Sequence, residues 1–136
     1  MDMDAALKIA ASGMQAQAAR LRVVAENIAN ADTTGSAPGA APYRRRVVTF
    51  ADRLDRASGA TLVGVSKVGE AAGASPLKYD PSHPAADARG YVQMPNVDPF
   101  IENMDMRAAE RGYAANVAVM QATRGILSRT LELLRG

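Results

Sequence analysis

From residue 3 to about residue 30 the chain repeats apolar side chains every seventh position, at Leu7, Met14, Leu21 and Ile28. Met3, Ala10 and Val24 take the companion positions, and Gln17 is the one polar interruption. That period predicts an amphipathic helix close to a coiled-coil seam. Asp2 and Asp4 fall near the positive end of its dipole. Gly13 costs about 1 kcal/mol against alanine in a helix interior, so close packing is expected there. At about 1.5 Å per residue the helix is about 40 Å long, which is long for one small domain.

Residues 31–42, "ADTTGSAPGAAP", hold small and breaker residues without a period and predict a loop. The pattern then changes. Val47, Val48 and Phe50, followed by "TLVGVSKV", predict short strands punctuated by Gly59, Gly64, Gly69, Gly73 and Pro76. In "YDPSHPAADARGYV" Pro81 and Pro84 exclude regular helix across His83. "MPNVDP" predicts another extended or turn segment, because a residue before proline avoids the helical region.

From about Pro99 to Leu134 the helical period returns, with Met106, Tyr113, Met120, Leu127 and Leu134 seven apart and Val117 and Leu131 on the same stripe. Ala108, Ala115 and Ala122 form a second, smooth face. Arg111, Arg124, Arg129 and Arg135 lean toward the end where the dipole favours cations. The expected fold is therefore mainly α with a small β insert, an α+β arrangement. Its N-terminal helix (1–35) and C-terminal helix (99–136) pair as an antiparallel coiled coil and form one core domain. A loop and small β-rich insert (36–98) lie between them. Neither helix can bury all its faces against the other.

Composition sharpens this picture. Of the 136 residues 48% are apolar, but alanine dominates and tryptophan is absent. Alanine packs helices closely yet removes little area from water, at about 25 cal/mol per Å². A thin monomer core follows, with further burial left to partners. The net charge of +2 is far from that of a dedicated nucleic-acid binder. Without cysteine there is no disulfide, thiolate nucleophile or zinc–thiolate site. The opening "MDMDAALKIAASG" begins with acids and lacks an apolar core, so no cleavable secretory signal is expected in it.

Candidate chemistry is sparse. Asp80, Ser82 and the single histidine, His83, lie too close in sequence for a triad whose members converge from separate elements. A turn with Asx and Ser side chains capping backbone groups accounts for them. Asp98, Glu102 and Asp105 fit the acidic first turn of a helix better than a cation site. Arg44, Arg45 and Arg46 are the best nucleic-acid signal, and the alternative reading of the chain is a small helical module binding nucleic acid or an acidic partner through them. Strand alternation would split the three between faces, and only Tyr43 is at hand for stacking. Bridging to carboxylates or amides on a neighbouring surface is the simpler role. Neither an enzyme nor a cofactor-binding protein is expected.

One question remains: why does the first helix end in "NIANADTT", with Asn27 and Asn30 three apart? "SGMQAQAARLRVVAENIANADTT" resembles the N-terminal signature of flagellar axial proteins, the rod and hook subunits. Asn27, Ile28, Ala29, Asn30 and Thr34 stand at the family's Asn-x-x-Asn-x-x-x-Thr positions. "PYRRRVV" with "YDPSHPAADARGYVQMPNVDP" narrows the resemblance to proximal rod subunits. "RGYAANVAVMQATRGI" is similar to the family's Arg-x-Tyr-x-x-Asn-Val segment, here Arg111, Tyr113, Asn116 and Val117. The loop "GSAPGAA" and the glycines Gly112 and Gly125 depart from the family's usual choices.

The resemblance implies a structural subunit of the bacterial flagellar basal-body rod. Such subunits are exported by the flagellar type III apparatus into the periplasm without a cleavable signal. They self- and co-assemble helically with other proximal and distal rod subunits and with the rod-to-membrane-ring adaptor. The product is a drive shaft that transmits torque and contains the export channel. No nucleic acid and no small-molecule substrate is implied. The expected assembly interface comprises the two stripes, Leu7, Met14, Leu21 and Ile28 with Met106, Val117, Met120, Leu127, Leu131 and Leu134. To these it adds Asn27, Asn30, Thr34, Tyr43, Arg44, Arg45, Arg111, Tyr113 and Asn116. The asparagines either satisfy carbonyls orphaned at the helix end or bridge to a neighbour.

Overall fold

The computed structural model describes residues 2–136. Helix α1 spans Met3–Ala29 and helix α2 spans Pro99–Arg135. Between them lie four strands, β1 (Arg46–Asp55), β2 (Ala60–Glu70), β3 (Leu77–Tyr79) and β4 (Tyr91–Gln93). The fold is mainly α with a small β part. β1 and β2 pair in one two-stranded sheet, and β3 and β4 pair antiparallel in another, with Lys78 opposite Val92.

The boundaries have local causes. Asp98 starts α2: its carboxylate accepts from the Phe100 amide at 2.9 Å, and its carbonyl accepts from the Glu102 amide at 3.0 Å. Pro99 takes the first helical position, where a missing N–H costs nothing. At the end of α1 the Asn30 side-chain amide donates to the Glu26 carbonyl at 2.9 Å, which also accepts from the Asn30 backbone N–H at 3.0 Å. The Thr33 hydroxyl then donates to Asn30 Oδ1 at 3.1 Å. The 80–87 segment is a run of turns in which Ser82 donates to Asp80 at 2.8 Å. Asp87 accepts from the Arg89 and Tyr91 amides, and those backbone bonds hold its carboxyl below the usual range.

Two compact units divide the chain, each taking part of both helices. One gathers the chain through Leu21, Val48–Lys67 and Arg107–Gly136; the other gathers Arg22–Val47 and Val68–Met106.

In the first unit the β1–β2 hairpin is tied to α1. The Val63 amide donates to the buried Ser12 hydroxyl at 3.3 Å, and that hydroxyl donates to the Ile9 carbonyl at 2.7 Å. Lys8 lies 3.8 Å from Asp55 and 3.2 Å from Asp4. On the opposite helix Asn116 fills the space beside Gly13, where a Cβ would sit 2.6 Å from its amide nitrogen. Gln17 does the same at Gly112, at 2.9 Å. The close packing expected at Gly13 is thus present, and its cause is an inserted amide.

The seventh-position residues of α1 are not its most buried ones, although their companions Ala10 and Val24 are buried. Leu7, Met14, Leu21 and Ile28 are half-buried, whereas Ala5, Ala10, Ser12, Gly13, Ala16, Val23, Val24 and Asn27 are buried. On α2 only Glu102 and Ala109 are fully buried.

Candidate assembly site

The second unit contains a polar cluster built on the end of α1, the entry to β1 and the first turns of α2. Asn27 is at its centre and 1% exposed. Its carbonyl oxygen accepts from the Tyr43 hydroxyl at 2.7 Å and from the Arg46 amide at 2.9 Å. Its amide nitrogen donates to the Arg46 carbonyl at 2.8 Å and to Glu102 Oε2 at 3.1 Å. One side chain therefore pairs with both backbone groups of Arg46, as a neighbouring strand would. It leaves none of its own capacity unused.

Glu102 is wholly buried and accepts from Arg45 Nε as well as from Asn27. A second nitrogen of the same guanidinium reaches Asp105 at 3.0 Å, so one arginine clamps two carboxylates a helical turn apart. The Arg45 amide donates to Asn96 Oδ1 at 2.7 Å, and Asn96 in turn donates to the Ala71 carbonyl at 3.3 Å. Arg44 donates to the Ala71 and Gly73 carbonyls at 3.0 and 2.7 Å. Arg46 pairs with Glu26 at 2.9 Å. Burial, and then the Glu26 carboxylate, push the Tyr43 phenol above its ordinary value, with Arg46 pulling the other way.

All three arginines are therefore engaged within the chain, on carboxylates and carbonyls. They do not form a free basic patch. Asn27 and Asn30 both bond within the chain, but neither covers an orphaned carbonyl at the helix end: Asn27 pairs with Arg46, Tyr43 and Glu102, and Asn30 shares the Glu26 carbonyl with a backbone N–H. Thr34 faces His83 Nε2 at 3.3 Å, while His83 Nδ1 accepts from the Ala85 amide at 3.0 Å. Among the described residues no group of His, Cys, Asp and Glu has a metal-binding arrangement, and no helix is long and apolar enough to cross a membrane.

The remaining candidates lie in the first unit, apart from Met106, Leu21 and Ile28 at or beyond its borders. Met14, Tyr113 and Met120 line an open apolar groove with Ala11 and Ala18. Asn116 packs at Gly13, and its amide also donates to the Gly112 carbonyl at 2.9 Å. Val117 is half-buried and Arg111 is exposed. Leu127, Leu131 and Leu134 are exposed at 38%, 51% and 79%, on a stretch of α2 where every residue from 126 onward is exposed. Glu102 was missed as a site residue by sequence reasoning, which assigned it to the helix dipole. A carboxylate in a first turn carries no local mark of burial.

Comparison with known proteins agrees with this picture. Residues 7–35 match the family described as flagella basal body rod protein, and residues 88–133 match the flagellar basal body rod FlgEFG protein C-terminal family. The flagellar basal-body rod protein FlgC of Agrobacterium fabrum is 51% identical over 133 residues, covering 98% of this chain and 96% of that protein. FlgC of Bacillus subtilis is 39% identical, covering 93% of this chain and 95% of its own length. FlgC of Aquifex aeolicus is 41% identical over 97% of both chains. These relatives are named as flagellar basal-body rod proteins.

Proposed function

The chain belongs to the flagellar basal-body rod proteins of the FlgC type, a structural subunit of the rod, and from that premise we propose that it builds the proximal rod by helical self- and co-assembly. Its neighbours are other proximal and distal rod subunits and the rod-to-membrane-ring adaptor. It reaches them in the periplasm through the flagellar type III export apparatus. The assembled shaft transmits torque and encloses the passage used by later subunits. The chain takes no cofactor or small-molecule substrate and performs no catalytic step.

The observation that carries this reading is the contrast between the two kinds of surface. The polar cluster around Asn27 and Glu102 is closed within one chain. Among the described residues nothing covers the leucine stripe at 127, 131 and 134 or the groove beside Met14 and Tyr113. Exposed anchors four and three residues apart on a helix suit a helical neighbour. Repeated head-to-tail contacts of that kind give an open filament. Within the subunit the two helices pair as an antiparallel coiled coil. The contacts of Gly13 with Asn116 and of Gln17 with Gly112 support this, because the residue number falls on α2 as it rises on α1.

The nucleic-acid alternative finds no support in the arginines, each of which is engaged on carboxylates or carbonyls of the same chain. A salt wash separates the two readings. In about 1 M salt the Debye length is about 3 Å, and phosphate contacts are lost. The chain should stay with purified basal bodies through that wash. Its release, with nucleic acid in the same fraction, would contradict the reading.

A further inference from the structure

The repeat that pairs two helices also leaves their register ambiguous. Apolar residues seven apart, such as Leu7, Met14 and Leu21 against Met106, Tyr113 and Met120, match themselves again after a slide of one heptad, about 10.5 Å. Something else must choose one offset. The seam contains two polar side chains and two glycines at places where a repeat of apolar residues would be stronger.

We propose that Gln17 and Asn116 are register-setting side chains: each amide inserts where the opposite helix has a glycine, and together they permit a single axial offset of α2 on α1. The geometry is reciprocal. Asn116 occupies the space beside Gly13, with its nitrogen, oxygen and carbon 2.6, 2.7 and 2.8 Å from where a Cβ would be. Gln17 occupies the space beside Gly112, at 2.9, 3.0 and 3.2 Å. In both pairs the residue numbers sum to 129 (13 with 116, 17 with 112), so the two insertions define the same offset independently.

Sliding one heptad breaks both. Gln17 then meets Asp105 or Val119 in place of Gly112, and Asn116 meets Ala6 or Arg20 in place of Gly13. Neither amide finds the missing side chain it needs. The hydrogen bond from Asn116 to the Gly112 carbonyl fixes its direction along α2. Gln17 Oε1 is buried without a hydrogen-bond partner, which a side chain selected for strength alone would not be. The seam thus gives up stability for a defined offset, as single polar residues do in coiled coils. In a rod subunit that offset fixes how far the leucine end of α2 projects past the start of α1.

The inference rests on the antiparallel pairing proposed above, and the test separates the two. The chain has no cysteine, so introduced pairs report without background. Ala6→Cys with Thr123→Cys reports the observed offset, since those numbers also sum to 129, and Ala6→Cys with Thr130→Cys reports a one-heptad slide. A short thiol cross-linker is applied to the purified full-length chain. The first pair should link within one chain and the second should not. If the first pair fails in the otherwise unaltered chain, the pairing itself is wrong.

Replacing Gln17→Ala and Asn116→Ala should then raise the slid product roughly tenfold or more, the shift expected when no amide has to be stranded against a side chain. A product confined to the observed offset in that variant would overturn the proposal. The exchange Gly13→Asn with Asn116→Gly moves one amide to the other helix and keeps its opposing glycine. It should restrict cross-linking to the observed offset, and this second variant decides the case if the alanine variant links in neither. A slid product from the exchange would also overturn the proposal.

Discussion

The Tyr43 hydroxyl donates to Asn27 Oδ1 at 2.7 Å, and through that bond the exit of the loop after α1 is fastened to the helix it has just left. The same asparagine holds Arg46, the first residue of β1, by both of its backbone groups. The chain therefore leaves α1, makes its loop and returns within reach of one amide. Replacing Asn27 with leucine keeps the volume and removes every one of these partners. Leaving the half-buried Tyr43 phenol and the Arg46 backbone groups unpaired beside the buried Glu102 should cost roughly 3 kcal/mol. Urea denaturation should show a lower midpoint with little change in slope.

Tyr43 ties stability to alkaline pH. Its phenol is held above the ordinary value, first by burial and then by Glu26. A group whose folded pKa is raised contributes stability that is fully present below the unfolded value, about 10, and lost as pH rises through the folded one. Stability should therefore fall above about pH 10. In Tyr43→Phe that component of the decline should be absent, at the expense of about 1 kcal/mol at neutral pH for the lost hydrogen bond. Denaturation midpoints from pH 7 to 11, compared between the two chains, measure both effects.

The buried Glu102 makes Arg45 more consequential than Arg44 or Arg46. Arg45→Met strands a carboxylate with no exposure, and should cost about 3–5 kcal/mol. Adding Glu102→Gln should recover a large part, because a neutral amide needs no counter-charge. Arg44→Met and Arg46→Met lose more exposed contacts, and each should cost about 1 kcal/mol or less. Thermal unfolding of the four variants tests the ranking.

The leucine stripe should behave in the opposite way. Leu127→Glu, Leu131→Glu and Leu134→Glu replace exposed side chains and should each leave the stability of the isolated chain within about 0.5 kcal/mol. The same changes should remove the chain from basal bodies. A variant that unfolds would place these residues in the subunit's own core instead.

Much of the fold is legible in the sequence because both helices have long periodic patterns. α1 runs from Met3 and α2 starts at Pro99, as the period predicts. The strands are legible only in outline. β3 and β4 are three residues each and are defined by pairing across a turn, which no local pattern encodes. The least legible part is what the helices bury. The apolar heptads stand out in the sequence, yet the close contacts are those of Gly112 with Gln17 and of Asn116 with Gly13, and Ala109 is fully buried. Likewise Arg45 and Glu102 are 57 residues apart, and their pairing depends on the fold bringing the start of β1 to α2.

The central claim is that this chain is a structural part of the rod, and electron microscopy of basal bodies from cells lacking it tests that claim most directly. Rings without a completed rod, restored to full basal bodies when the chain is supplied again, are the predicted result. Complete rods in its absence would contradict the account.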